Sequence, residues 1–299
     1  MGGLPQRLGV AILMLVASTF AANHIAARLA FDHGTSVAAA VALRSGVTAL
    51  VLAALMRAKG VSLRLARPTL VRALAIGLLV SVQSFCLYSA VARIPVALAL
   101  LAFNTYPMLL VLVSWAAGGE RPPRRALVAM PAALLGLAFA LDVVGSARAI
   151  EGRWSEIGAG VGYALTASVS FVAVLFLTTR WLKEVDGRLR TLLTMGVTAV
   201  VMLAYGTAQH ALALPADRTG WLGVALLTLL YGSAITALFT IVPRLAAASS
   251  TVALNFEPVA ALLLGWAILA QKVAAHQIIG ALVVISAIAF LGSGRRRPP

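Results

Sequence analysis

Ten apolar runs, parted from one another by only a few polar residues, leave this chain few ways to fold. A helix needs about 20 mostly apolar residues to cross a bilayer. Such runs occur at roughly 8–31, 35–56, 70–91, 95–118 and 124–142, and again at 157–179, 190–209, 219–242, 249–270 and 274–292. The longest connection, VVGSARAIEGRWSE at 143–156, is too short to form a soluble domain. Only 11% of the 299 residues are charged, against about 25% in soluble domains, and the mean hydropathy is +0.98. The expected fold is all-α and integral to the membrane, with ten transmembrane helices. The basic start, Met1 to Arg7, resembles that of a signal peptide. The apolar stretch behind it runs on to about Phe31, which is long enough to remain as a first span.

The charge pattern tests that count. The formal charge is +15, which in a soluble chain would suggest nucleic acid. Here the basic residues fall in short clusters between apolar runs. With a cytoplasmic N-terminus, 17 lie on the cytoplasmic side, from Arg7 to Arg297; six lie opposite, and Arg44 falls within a span. That asymmetry is what the positive-inside rule expects when both termini are cytoplasmic, and it removes the nucleic-acid reading. The tryptophans Trp115, Trp154, Trp181, Trp221 and Trp266 fall near expected span ends, where indoles favour the interface. The single cysteine, Cys86, can form no intrachain disulfide.

Shifting the chain by 151 residues aligns 93–121 with 244–272 without a gap, and eight of 29 positions are identical. Arg93 matches Arg244, Asn104 matches Asn255, Pro107 matches Pro258 and Trp115 matches Trp266. The chain has only three asparagines, and two of them fall in this register. The expected architecture is therefore two five-helix repeats, 1–142 and 157–299, joined by a periplasmic linker at 143–156. An odd number of helices per repeat inserts the second copy upside down. Inverted repeats of this kind characterise secondary transporters, whose site lies between the repeats near the midplane. Each proline lacks an amide hydrogen and frees a carbonyl four residues back, at Phe103 and Leu254. Such interruptions are tolerated at membrane depth where protein or a wet cavity satisfies the backbone. Pro107 and Pro258 are thus candidate hinges, and Asn104 and Asn255 candidate cavity residues.

The stretch FNTYPMLLVLVSWAAGGERPP, running from span 4 into the next loop, resembles the proline-centred helix ending in Gly-Glu-Arg of the drug/metabolite transporter superfamily, in its ten-helix EamA-type branch. Ala42-Leu43-Arg44 resembles the Ala-x-Arg signature of that branch, and the likeness covers essentially the whole chain. The second copy departs from the first, with Gln271-Lys272 where Glu120-Arg121 would stand. The resemblance implies a basket in which spans 1, 3, 4, 6, 8 and 9 surround a central substrate cavity. Within the branch the chain is most similar to bacterial aromatic amino-acid exporters.

Polar residues within spans are costly and usually face a bundle interior. Span 1 offers Thr19 and Asn23, with Phe20, His24 and Arg28 as the neighbouring stripe. These stripes either join an outward vestibule able to receive a carboxylate or bind neighbouring helices. Span 3 contributes Gln83, Ser84 and Tyr88; span 6 contributes Tyr163, Ser168, Ser170 and Phe171; span 8 contributes Tyr231, Thr236 and Phe239. Tyr106 and Tyr231 sit too deep for interface anchors, and an aromatic wall suits apolar or aromatic substrates. Glu257 lies as deep as Arg44 from the opposite side. It is a candidate proton or amine site, or else a structural partner for Arg44 or for a freed backbone group.

No H-E-x-x-H, G-x-S-x-G, Walker or C-x-x-C pattern occurs, and His24, His33, His210 and His276 are scattered. The expectation is therefore a carrier rather than an enzyme, without cofactor or metal, in a bacterial inner membrane. It exports small metabolites, amino acids with aromatic or large apolar side chains foremost, by alternating access. Its partners are that substrate and the bilayer. Multidrug or nucleoside export is the alternative within the fold, and a channel or an intramembrane enzyme the alternative outside it.

Overall fold

A computed structural model describes residues 6–61, 65–119, 121–122, 124–140, 154–240, 256–269 and 274–292. The described residues are helical throughout, without strands: α1 (Gln6–Asp32), α2 (Val37–Ala58), α3 (Arg67–Arg93), α4 (Val96–Phe103), α5 (Tyr106–Ala116), α6 (Arg124–Ala140), α7 (Trp154–Trp181), α8 (Gly187–Ala208), α9 (Arg218–Thr240), α10 (Glu257–Leu269) and α11 (Ala275–Gly292). Seven stretches among them are long and apolar enough to cross a membrane, with α4 and α5 together counting as one. The expected spans at 124–142, 249–270 and 274–292 are represented by α6, α10 and α11, of 17, 13 and 18 described residues. Residues 249–255, and Asn255 with them, lie outside the described residues.

Local chemistry sets the helix ends. α1 stops where Gly34 adopts φ +87°, a conformation that costs glycine nothing. The Gly34 and Thr35 amides then close back on the Phe31 and Ala30 carbonyls, a Schellman-type end. Two residues on, the Ser36 hydroxyl accepts from the Ala39 amide and starts α2.

The largest difference from expectation lies in span 4. The spacing of Pro107 predicts a kink, but the helix ends at Phe103 and a new one begins at Tyr106, with Pro107 in its first turn. Two side chains turn back on the end of α4. Asn104 Nδ2 donates to the Leu100 carbonyl at 2.7 Å, and the Thr105 hydroxyl donates to the Ala102 carbonyl at 2.8 Å. The Leu100 carbonyl also keeps its helical bond from the Asn104 amide at 2.8 Å, and the Ala102 carbonyl takes a longer one, 3.4 Å, from the Thr105 amide.

The helices pack chiefly across the midpoint of the sequence: α1 on α9 and α10, α2 on α8, α3 on α7 and α8, α4 and α5 on α7, and α6 on α11. Small residues permit the close approaches. A Cβ at Gly223 would lie 2.8 Å from the Ala30 amide nitrogen of α1, and one at Gly77 would lie 2.7 Å from Val197 Cβ of α8. Outward faces carry Leu50, Val71, Leu135, Val200 and Leu229, all well exposed, which is how a lipid-facing surface reads. Trp115, Trp181, Trp221 and Trp266 are also exposed, each within about a turn of a helix end.

Candidate functional site

Five helices converge on Tyr88, which is buried in the interior of α3. The Asn23 amide of α1 donates to the Tyr88 hydroxyl at 2.8 Å, and Arg44 Nη1 of α2 donates to it at 3.0 Å. Arg44 Nη2 donates to Ser84 Oγ at 2.8 Å. The Ser84 hydroxyl in turn donates to Gln83 Oε1 at 3.3 Å. The Arg44 guanidinium lies 4.6 Å from the Tyr88 ring centre and 3.6 Å from that of Tyr231 on α9. The Tyr231 ring meets Phe20 of α1 edge-on. Arg44 is fully buried, and no carboxylate among the described residues lies within ion-pairing distance of it. Its charge is balanced instead by two aromatic faces and two hydroxyls. Cation–π contacts reach about 2 kcal/mol each once desolvated, and hydrogen bonds to a charged group contribute about 1.5–3 kcal/mol.

Glu257 opens α10, and its Oε1 lies 3.1 Å from His24 Nε2 of α1. The His24 ring also packs 5.7 Å from that of Tyr88. The expectation of an Arg44 partner for Glu257 is thereby corrected. α1 packs directly on α10, whereas Arg44 on α2 faces α3 and α9, so the histidine reaches the carboxylate. Three buried polar atoms in this centre carry no hydrogen bond among the described residues: Asn23 Oδ1, His24 Nδ1 and Arg44 Nε. Unpaired polar atoms are costly at membrane depth, and here they gather in one place.

A second group surrounds the interruption between α4 and α5. Phe103, Tyr106 and Phe171 of α7 form a ring-on-ring triangle, with centres 4.9 to 5.5 Å apart. The Thr105 hydroxyl shares a 2.9 Å hydrogen bond with Ser168 of α7. A third group joins α3, α7 and α8, with Phe85 edge-on to both Tyr163 and Tyr205. Thr19 turns back to the Leu15 carbonyl of its own helix. Ser170 is buried, and Thr236 lies on α9; Phe239 lies on the same helix, as Pro107 and Pro258 lie in α5 and α10. Sequence reading missed Phe85, Phe103, Thr105 and Tyr205. Only Thr105, flanked by Asn104 and Tyr106, carried a signal that could have found it.

A sequence profile of the EamA-like transporter family matches the chain twice, over residues 7–141 and 158–293. The chain belongs to the EamA-like transporter family. Members move small solutes across membranes and are not enzymes, so this one is a multi-pass membrane transporter. A solved crystal structure resembles it with a TM-score of 0.69 over 96% of each chain, at 19% identity, a likeness of fold. No curated protein matches the sequence.

At one end of this EamA-like transporter, two loops distant in sequence are bonded together. The Ser36 amide donates to the Ala213 carbonyl and the Ala216 amide to the His33 carbonyl, both at 3.0 Å. The Ala213 amide donates to the Ser36 hydroxyl at 3.1 Å, and His33 Nδ1 lies 2.7 Å from Asp217 Oδ2. The Gly220 amide and His33 together hold the Asp217 carboxyl below the usual carboxylate range. The α1–α2 loop of this transporter is thus fastened to its α8–α9 loop.

Proposed function

We propose that this protein is a secondary transporter of two inverted five-helix repeats, ten helices in all, exporting amino acids with aromatic or large apolar side chains by alternating access. The carrying observation is the His24–Glu257 pair, which joins α1 to α10 across the two stretches that match the family. An inverted two-fold exchanges spans 1 and 6, 2 and 7, 3 and 8, 4 and 9, and 5 and 10. Helix packing follows that exchange: α3 on α7 corresponds to α1 on α9, and α1 on α10 corresponds to α7 on α4 and α5. α2 on α8 and α6 on α11 map onto themselves.

In this reading Glu257 binds a proton or the substrate amine, and His24 holds it between turnovers. Asn23, Tyr88, Tyr231, Gln83 and Asn104 line the cavity with Asn255, while Tyr106, Tyr163 and Phe171 supply an aromatic wall. Pro107 and Pro258 let spans 4 and 9 swing as the repeats rock. The buried Arg44 makes the centre unfavourable to cationic drugs, which favours amino acids over that alternative. Both termini lie in the cytoplasm of a bacterial inner membrane. The test is counterflow: liposomes holding the purified protein and unlabelled tryptophan are given labelled tryptophan outside. Saturable uptake, competed by phenylalanine, is expected. Folded protein that shows none would defeat the substrate assignment, and a panel of nucleosides and cationic drugs would follow.

A further inference from the structure

Between the α1–α2 loop and the start of α7 lies a cleft of about 610 Å³, lined by Phe31, Asp32, Thr35, Arg93, Ser155 and Ala159 among others. Its lining has the chemistry of an anion site, from four directions. α2 and α7 both begin here, so two helix N-termini bring their positive dipole ends to the same space. Arg93 ends α3 with its guanidinium 4.8 Å over the Tyr163 ring and Nη1 donating to the Ser89 carbonyl at 3.0 Å, which leaves the remaining N–H groups of the fork to offer. The one acid among the described lining residues, Asp32, is paired with Arg28, whose Nε lies 2.9 and 3.1 Å from its two oxygens. Finally, Thr35 is only 5% exposed, and its hydroxyl has no hydrogen-bond partner among the described residues. A helix start alone would not mark a site, but a buried unpaired hydroxyl beside an arginine and two helix starts does.

We propose that this cleft is an exit-side subsite for the carboxylate of the transported solute, met on the periplasmic side as the solute leaves. The inference rests on the transport reading above. Phe31 forms one wall of the cleft and meets the Tyr88 ring edge-on at 6.1 Å, so a single side chain separates the subsite from the central polar network. A solute held here by its carboxylate presents its side chain to Phe31 and to the aromatic rings beyond. Arg93 supplies charge and a planar fork, Thr35 a hydroxyl, and the helix starts their positive ends.

The experiment uses a thiol reporter and does not require turnover. Cys86 is buried, so Ala159→Cys in a Cys86→Ser background places the accessible thiol in the cleft. The full chain is held in nanodiscs of zwitterionic lipid, and the rate of labelling by a charged thiosulfonate is measured with tryptophan, tryptophanamide or neither. Tryptophan is expected to slow labelling, and tryptophanamide, which lacks the carboxylate, is not. Adding Arg93→Gln should raise the half-protecting tryptophan concentration about tenfold, the cost of one charge-assisted hydrogen bond; Arg93→Lys should restore part of it. Equal protection by tryptophanamide, or protection indifferent to Arg93→Gln, would overturn the proposal. So would a site that tryptophan leaves untouched but that closes when a fifth of the lipid is made anionic, since it would then hold a headgroup. Counterflow with the same purified protein in liposomes separates the two failures: transport without protection defeats the subsite alone, and loss of both defeats the transport reading.

Discussion

At the scale of single residues, the centre is set by charges that must find partners without water. Glu257 faces His24, and the transport reading has that carboxylate changing its proton or its partner each cycle. Glu257→Gln keeps the shape and removes the charge. It is expected to abolish the pH dependence of counterflow and to slow it at least tenfold, measured between pH 5.5 and 8.5; an unaltered pH profile would end the proton role. Arg44 poses a different question, because its several kcal/mol of desolvation are opposed by two ring contacts and two hydrogen bonds of similar total. Arg44→Met removes both sides of that balance and should change stability by less than about 2 kcal/mol. Arg44→Lys keeps the charge but loses the planar fit between Tyr88 and Tyr231, so it should be the less stable of the two by about 2 kcal/mol. Thermal unfolding in detergent ranks them, and the reverse order would show that charge rather than stacking holds this network. Asn23, His24, Tyr88, Tyr231 and Glu257 were legible in the sequence because each interrupts an apolar run. Their pairings were not, because which helix faces which depends on packing that no single run encodes.

At the scale of helices, small residues decide how closely axes approach. The added Cβ at Gly223 would meet backbone of α1, and backbone cannot swing aside. Gly223→Leu is therefore expected to cost about 3 kcal/mol or to prevent folding. Gly158→Ala on α7 meets nothing within 4 Å and should be neutral or stabilising by up to about 1 kcal/mol. Monodispersity and unfolding temperature of the two variants make the comparison, and similar behaviour would refute this account of the α1–α9 contact. Seven of the spans were readable from hydropathy to within a few residues, α2 and α8 among them. The interruption at Asn104 and Thr105 was readable only as a proline kink, because the side-chain bonds of Asn104 and Thr105 to the end of α4 depend on rotamers.

At the scale of the whole molecule, the fastened loops tie the first half of the chain to the second at one end. Because the folded state holds the Asp217 carboxyl below its ordinary value, its contacts contribute stability that is present above the unfolded value, about pH 4. That contribution is lost as pH falls through the lower folded value. Hydrogen exchange at the Ala216 amide should accordingly speed up, beyond its intrinsic pH trend, as pH drops below about 4, and Asp217→Asn should remove that step. A step that survives the substitution would place the acid sensitivity elsewhere. The repeat was visible because Asn104, Pro107 and Trp115 are scarce enough to stand out when they recur. Nothing in the composition of the α1–α2 or α8–α9 loops marked them as partners.

The bond between Ser36 and Ala213 spans 177 residues of sequence, and that interval is also a length of time. At about 5–20 residues per second, a ribosome needs roughly 10–35 s to deliver the second loop after the first. Throughout that interval α1 has been synthesised with Asn23 and His24 in its middle, while neither α9 nor Glu257 yet exists. Nascent α1 must therefore wait beside the insertion machinery or against α3, whose Tyr88 arrives early enough to shelter Asn23.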